Sequence, residues 1–477
     1  MKPTVNLLTR DELHEIHLAT LDILERVGVG IYEERALKLM DKAGANVDYN
    51  KKIVKIPQYL LKELISKAPE IVTLFARNPK HTVKLEPGKT YFNNSGYGIK
   101  VYDLDTGQHR DSKSEDIINF ARLFDALENL HVYQPPVTAH DIPESIRSLH
   151  ELVISLENTS KHVSSVAFGV DKIKRYIQIG AAVAGGEDEL RKKPLISAGT
   201  CPISPLQYSK EDTECLIEFA KFGLPFLILS MAMGGGTAPL TIAGELVVIN
   251  AEVLSGIALV QLVNPGTPVL YGSVSSTMDM KTGKLALGAP ERPLINSGCA
   301  QLARYYGVPS WVGACSTDAK AYGPQAMFEK VMTVIVPTLA GANLIFGPAI
   351  LDSGKTYGFE QLVLDNEIIG AVYRILEGVH VNAESLALEV IEKVGIGGHY
   401  LAQKHTCDHV LSDQWRPSLL DRGTRGDWVK AGSKDICEVA REQAKKILSS
   451  HEVEPLEKDV EEEIWNILKK AKKELKD

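Results

Sequence analysis

The chain has 477 residues, enough for one large domain with appendages. Hydrophobic residues make up 44% and charged residues 24%, which excludes a disordered or fibrous chain and fits an ordinary globular enzyme. The formal net charge of −8 argues against nucleic acid as the main partner, because phosphate binding needs a clustered basic surface.

The N-terminus lacks the apolar core of a signal peptide, so a cytoplasmic location is the expectation. Residues 8–28 and 34–45 carry helical periodicity, with Leu13, Ile16, Leu21, Ile23 and Leu24 in one stripe. Thr9 and Glu12 are spaced as a capping box that opens the first helix. A short strand is expected at 53–56 and another helix at 57–68. Together, residues 1–88 form a helical cap on the domain after them.

From 89 to 378 one unit recurs eight times: a short apolar run, a loop, then an amphipathic helix. The runs begin near Tyr91, Val132, His162, Leu195, Pro225, Pro268, Ser310 and Ala342. Ser114, followed by Glu115 and Asp116, starts one helix with acids where the macrodipole favours them. Further helices are expected at 145–158, 171–184, 209–222, 243–263, 290–306, 324–340 and 359–377. This cadence belongs to the closed parallel (β/α)8 TIM barrel, whose chemistry sits at the C-terminal ends of the strands. A hairpin over 99–110 turns at Asp105-Thr106-Gly107. The apolar stretch 245–263 carries Asn250, Glu252 and Gln261, so it reads as a buried helix and not a membrane span. Residues 379–477 are polar and helical, a fold-back followed by a tail. Ile464, Trp465, Leu468 and Leu475 give that tail a narrow docking stripe.

The strand ends carry the candidate chemistry. Gly234, Gly235 and Gly236 follow the fifth run and permit close approach of a ligand or partner surface. They match neither phosphate-loop pattern. Asp318 and Lys320, after the seventh run, read first as a salt bridge or helix-start feature, and otherwise suit proton transfer or a Schiff base. Tyr357, Phe359 and Glu360 follow the eighth run, and Tyr97 follows the first. Aromatic faces with an acid suit a fixed organic cation, although each aromatic taken alone reads first as a core residue. The cysteines Cys201, Cys215, Cys299, Cys315, Cys407 and Cys437 show no CxxC pair, so no disulfide framework or zinc ribbon is indicated. His399, His405, Cys407 and His409 cluster as candidate zinc ligands, but their spacing departs from ligand patterns and no metal is expected. This segment is instead expected to fold over the barrel mouth. There His399 or His405 would hydrogen-bond substrate, with Trp415 and Arg422 as anchors.

Several segments, taken in order, carry a resemblance. They are Leu7 to Leu13 with Leu24 to Val29, Phe92-Asn-Asn-Ser-Gly96, and Ser316-Thr-Asp-Ala-Lys320 with Gln325 to Lys330. They continue with Leu339 to Gly347, Phe359 to Glu367, Gly398-His-Tyr-Leu401 with His405-Thr406, and Trp415 through Trp428. On these the chain resembles the corrinoid-dependent trimethylamine methyltransferase family along nearly its whole length. The resemblance implies a TIM barrel that takes a methyl group from an amine and gives it to a separate corrinoid protein. It implies a homo-oligomer with no cofactor bound to this chain, the corrinoid (cobalamin) being supplied by the partner protein.

One departure bears on the substrate. The family's trimethylamine enzymes carry pyrrolysine within or near the segment matching 316–329, whereas this sequence is written in the ordinary twenty residues. Family members without pyrrolysine are associated with quaternary amines such as glycine betaine. A quaternary nitrogen already bears its charge and leaves as a neutral tertiary amine, so no acid must protonate it. That chemistry sets the expected roles. Tyr97, Tyr357 and Phe359 enclose the cation, while Glu360 or Asp318 balances its charge. Lys320, His399 and Arg422 are candidates to meet a carboxylate, and Gly234 to Gly236 face the corrin ring. The alternatives are a zinc-dependent methyltransferase on the same barrel, a trimethylamine-type enzyme, a non-catalytic quaternary-amine binding protein, or a lyase using Lys320 as a Schiff base.

Overall fold

In the computed structural model, which describes residues 3–94 and 96–475, eight short parallel strands close into a barrel. Ser95, within the Phe92 to Gly96 motif, lies outside the described residues. The strands are β1 (Tyr91–Asn93), β2 (Val132–Tyr133), β3 (His162–Ser165), β4 (Ile196–Thr200), β5 (Phe226–Ser230), β6 (Val269–Ser273), β7 (Ser310–Gly313) and β8 (Leu344–Phe346). Each pairs with its neighbour in chain order, and β8 returns to β1. Parallel strands need a crossover between them, and here each of the seven crossovers carries a helix packed outside, with an eighth helix following β8. These are α1 (Ser114–Ala126), α2 (Arg147–Asn158), α3 (Val170–Ala184), α4 (Lys210–Phe222), α5 (Ile242–Val263), α6 (Glu291–Tyr305), α7 (Pro324–Leu339) and α8 (Phe359–Glu377). β3, β4, β6 and β7 are buried at every residue, so their sequence reads as apolar or small runs without alternation.

The N-terminal end of the barrel is covered. A hairpin, Val72–Leu74 with Val83–Leu85, lies beneath it with Leu74 and Leu85 buried. Phe75 accepts a hydrogen bond from His162 Nδ1 at 2.8 Å and donates its backbone N–H to the Pro194 carbonyl at 3.2 Å. Asn343 Nδ2 donates to the Glu86 carbonyl at 2.9 Å. These partners stand at the starts of β3, β4 and β8, which ties the hairpin under the strands. The helices Arg10–Arg26 and Gln58–Ile65 pack along α5, the first opened by a Thr9–Glu12 capping box. Strand Val29–Ile31 pairs in parallel with Gln207–Tyr208 from the loop after β4. The N-terminal segment therefore flanks and underlies the barrel.

At the other end, Lys100–Tyr102 and His109–Asp111 form the expected hairpin, and Asp103 Oδ1 accepts from the backbone of Asp105 and Thr106 at its turn. Thr356–Gly358 pairs beside it in parallel, so the loops after β1 and β8 share one small sheet over part of the mouth. α5 is long and apolar enough to cross a membrane, but 78% of its most apolar window is buried inside the protein.

The tail divides in two. Helix Ile436–Ser450 packs on α8 and α1, while Lys458–Glu474 packs on α3 and α2 with Ile464 and Leu468 buried. Segment 379–434 corrects an expectation. It does not fold over the mouth. Arg374 Nη2 holds the Asp413 carbonyl at 2.9 Å, and Glu367 Oε1 accepts from Ser418 and Leu419 at 2.8 and 2.9 Å. These anchors lie at the middle and near the C-terminal end of α8, which runs away from the mouth. A chain leaving that helix emerges at the opposite end of the barrel.

A buried ion pair pins the seam between the last two strands. Lys330 Nζ on α7 lies 2.8 Å from Asp365 Oδ2 on α8, both side chains fully buried. The same ammonium donates to the Cys315 carbonyl at 2.8 Å, and Asp365 accepts from the Ala349 N–H at 2.7 Å. Lys330→Met leaves the carboxylate without its counter-charge and is expected to cost ~3–5 kcal/mol. Urea unfolding at neutral pH measures this, and Lys330→Met with Asp365→Asn is expected to recover most of the loss.

Candidate active site

Small residues make the cavity. Gly199, Gly272 and Gly313 stand in β4, β6 and β7, where parallel strands favour branched side chains. A Cβ on Gly272 would sit 2.5 Å from the Ile228 carbonyl oxygen, and one on Gly313 would overlap the Arg292 guanidinium. Above these positions a cavity of about 530 Å³ opens at the C-terminal ends of the strands, and every βα unit contributes to its wall.

The wall is mostly apolar and aromatic. Trp311 and Phe346 come from β7 and β8, with ring centroids 5.1 Å apart. The indole is fixed by Nε1 donating to Asn93 Oδ1 at 2.7 Å. Phe168 and Met231 enter from the loops after β3 and β5. Tyr97 presents an open ring face, 43% exposed, while its hydroxyl is enclosed and accepts from Gln134 Nε2 at 3.3 Å. That enclosure pushes the phenol above its ordinary range, so it stays protonated. Tyr357 is buried against Gly96 and Gly98, and a Cβ on either glycine would overlap its ring or hydroxyl.

Two charged side chains line the cavity among the described residues, Asp212 and Arg292. Asp212 sits in the first turn of α4, where its backbone N–H meets Ser209 Oγ at 3.0 Å. Its carboxylate accepts from Ser209 at 2.6 Å and from Thr200 Oγ1. Arg292 sits in the first turn of α6, 1% exposed. Its Nη1 donates to the carbonyls of Val274 and Ser275 at 2.9 and 3.3 Å. Burial lowers it to about 10, so it remains a cation at neutral pH.

Of the residues singled out from sequence, Tyr97 and Tyr357 line this cavity and the others do not. Phe359 stacks on Phe120 at 4.0 Å in the seam between α8 and α1. Glu360 is buried and turned outward, accepting from Arg441 Nε at 2.8 Å and the Tyr322 hydroxyl at 3.2 Å. It fastens the tail to α8. Asp318 accepts from the backbone N–H groups of Leu287 and Gly288 at 2.9 and 2.8 Å, and from Ser353 Oγ at 2.7 Å. It thus holds the loop that carries Leu285 and Leu287 into the cavity wall. Lys320 is exposed and paired with Asp352 at 3.0 Å, away from any enclosed carbonyl site. Gly234, Gly235 and Gly236 pack against their own chain. A side chain at Gly235 or Gly236 would collide with Met280 or Met278 of the hairpin after β6, and one at Gly234 with Glu245. Their freedom is spent on loop packing.

His399, His405 and Arg422 lie on the 379–434 segment, outside the lining of the cavity. His405 stacks on His409 at 4.2 Å, and His409 Nδ1 is 2.8 Å from Asp413 Oδ2. Arg422 Nη1 donates to the Trp415 carbonyl at 3.1 Å. Among the described residues no three His, Cys, Asp or Glu side chains converge as a metal site. Sequence reasoning passed over Arg292, Asp212, Trp311, Phe346 and Phe168. A signal existed for Arg292: a cation in the first turn of a helix opposes the macrodipole, so another influence must hold it there.

Fold and cavity together define a (β/α)8 barrel with its site at the strand ends, shaped for a small organic molecule with aromatic walls. The chain belongs to the trimethylamine methyltransferase family, whose model matches residues 1–476. It is 41% identical over 474 residues to trimethylamine methyltransferase MttB of Methanosarcina barkeri, covering 98% of this chain and 96% of that one. It is 36% identical over 431 residues to the glycine betaine methyltransferase of Desulfitobacterium hafniense, covering 90% and 89%. The crystal structure of the Methanosarcina barkeri monomethylamine methyltransferase shares the fold at a TM-score of 0.55 and 12% identity, covering 99% of this chain and 88% of that one.

Glu245, in the first turn of α5 against Gly234, is pushed up to about 8 by burial, opposed by the Gly234 backbone. Its folded value lies above the unfolded one, so the native state binds a proton that the unfolded chain releases. Stability from this group is full below about pH 4.5 and is lost as pH rises towards about 8. Glu245→Gln is expected to raise the melting temperature relative to wild type at about pH 9 and not at about pH 4. An equal shift at both pH values contradicts the assignment.

Proposed function

We propose that this methyltransferase moves a methyl group from a quaternary amine to the reduced cobalt of a separate corrinoid protein. The observation that carries the reading is the chemistry of the cavity wall. It is aromatic and apolar, and among the described residues it offers no lysine or histidine to move a proton. Its one carboxylate already accepts from Ser209 and Thr200. Such a wall does little for a reaction that must protonate its leaving group. It suits one in which the C–N bond breaks, its electron pair stays on nitrogen, and a neutral tertiary amine remains. The relatives support methyl transfer from N-methylated amines, and one of them is a glycine betaine methyltransferase.

The chain's own part is enclosure and orientation. The open face of Tyr97, with Trp311 and Phe346 in the same cavity lining, attracts a cation through the ring quadrupoles, worth ~1–2 kcal/mol per well-placed desolvated contact. Removing water destabilises a cation that is about to lose its charge and leaves the neutral product at ease. Holding the ammonium in place aligns one methyl towards the mouth. A corrinoid presented by the partner supplies the nucleophile. The rim fits such a visitor: Ile99, Phe168, Ile203, Met231, Leu240 and Met280 stand exposed on loops following the strands, an apolar face around the opening. The exposed apolar residues of segment 379–434, such as Ile396 and Leu401, suit contact with a second copy of the chain.

The test is methyl transfer to a reduced corrinoid protein from glycine betaine, choline, carnitine and trimethylamine in parallel. A quaternary amine is expected to yield one tertiary amine per methyl transferred. Activity confined to trimethylamine overturns the reading, and so does tight binding with no transfer to any corrinoid protein. Tyr97→Ala is expected to raise KM by ~10-fold, with Tyr97→Phe close to wild type, since the ring face and not the hydroxyl meets the cation.

A further inference from the structure

Arg292 carries a charge and hydrogen-bonding capacity that its surroundings do not meet. A guanidinium has five N–H donors. Those of Nη1 are directed at Val274 and Ser275, but Nε and Nη2 are buried and have no partner among the described residues. No carboxylate pairs with it, and the acid that acts on it through space, Asp318, is spent on the backbone of Leu287 and Gly288. The side chain is 1% exposed and forms part of the cavity wall. The local structure makes room for it there. Gly313 lacks the side chain that would overlap Nη2, and the Phe346 ring centre lies 5.9 Å from the guanidinium carbon.

A buried, unpaired cation is costly, and its cost is recovered only by an anion with matching geometry. A carboxylate meets a guanidinium through two parallel N–H···O bonds. Asp212, the cavity's other charge, stands on the α4 side, whereas Arg292 enters from α6 beside β7. The cavity is therefore electrically polar, negative on one wall and positive on another, with aromatic faces in the rest of its lining. That is the complement of a zwitterion.

We infer that Arg292 is the carboxylate anchor of the cavity, the side chain that sets amines bearing an acid apart from onium compounds lacking one. The inference rests on the quaternary-amine reading above. A site built around an unpaired donor rejects ligands that leave it unpaired more strongly than an apolar pocket rejects a missing methyl.

Calorimetric titration of the purified full chain, without any corrinoid protein, separates the two claims. Four probes suffice: glycine betaine, choline, tetramethylammonium, and 3,3-dimethylbutanoate, the uncharged-carbon isostere of glycine betaine. Wild type is expected to bind glycine betaine at least ~100-fold more tightly than choline. Arg292→Gln is expected to weaken glycine betaine by ~100-fold and tetramethylammonium by less than ~3-fold. Arg292→Lys keeps the charge but loses the fork, and is expected to fall between them. Equal affinity of wild type for glycine betaine and choline overturns the inference, a result that needs no variant to fold. Arg292-dependent binding of 3,3-dimethylbutanoate, with no binding of either quaternary amine, upholds the anchor and removes the methyl-transfer reading beneath it.

Discussion

Closure of a parallel sheet is the constraint that organises everything else in this molecule. Eight strands joined by outer helices bring all their C-terminal ends to one face. The opposite face is sealed by the 72–85 hairpin, so access runs through the mouth. Sealing depends on modest polar contacts such as His162 to Phe75 and Asn343 to Glu86. At the β7–β8 seam the Lys330–Asp365 pair holds strand ends whose backbone turns abruptly, with positive φ at Cys315 and Ala349. Those turns lead the chain out of the barrel wall and into the small sheet that carries Tyr357 over the cavity.

The interior divides by side-chain size. Between the strands and the outer helices, Phe92, Tyr133 and Phe226 are fully buried and fill the space against Tyr373, Phe124 and Phe219. Towards the mouth, glycines interrupt the strands and leave room. The cost in strand propensity is met by burial elsewhere, and the gain is a void with chosen walls. Its two charges enter from the first turns of α4 and α6, where helix N-termini crowd the mouth. Asp212 is favoured there by the macrodipole and capped by its own turn. Arg292 is disfavoured there; its Nη1 holds the carbonyls of Val274 and Ser275, while Nε and Nη2 have no partner among the described residues.

How far this was legible in the sequence varies with distance along the chain. The βα cadence was visible because buried parallel strands carry uninterrupted apolar runs and each crossover helix carries its own period. The capping box at Thr9 and the hairpin at Asp105 are local and were equally plain. Strand-end position led to Tyr97 and Tyr357, since loops after strands must lie at the mouth. The same rule misled at Phe359 and Glu360, which begin a helix whose first turn faces α1 and the tail. It misled again at Gly234 to Gly236, because close approach by the chain's own hairpin looks identical in sequence to close approach by a ligand. Segment 379–434 has no clear apolar period, so nothing local told where it docks. Only the direction of α8 decides that, and direction is a property of the folded barrel. Arg292 was missed because its neighbours, Val274 and Gly313, are remote in sequence.

Family membership and cavity chemistry bear on different questions. Relatives at about 40% identity are named for trimethylamine and one at 36% for glycine betaine, so membership leaves the substrate open. The wall of the cavity narrows it. A crystal structure of the chain soaked with glycine betaine tests the claim most directly. The expected density places the trimethylammonium group against Tyr97 and Trp311 with the carboxylate on Arg292. Density on the 399–409 segment, or none inside the barrel at saturating ligand, would contradict it.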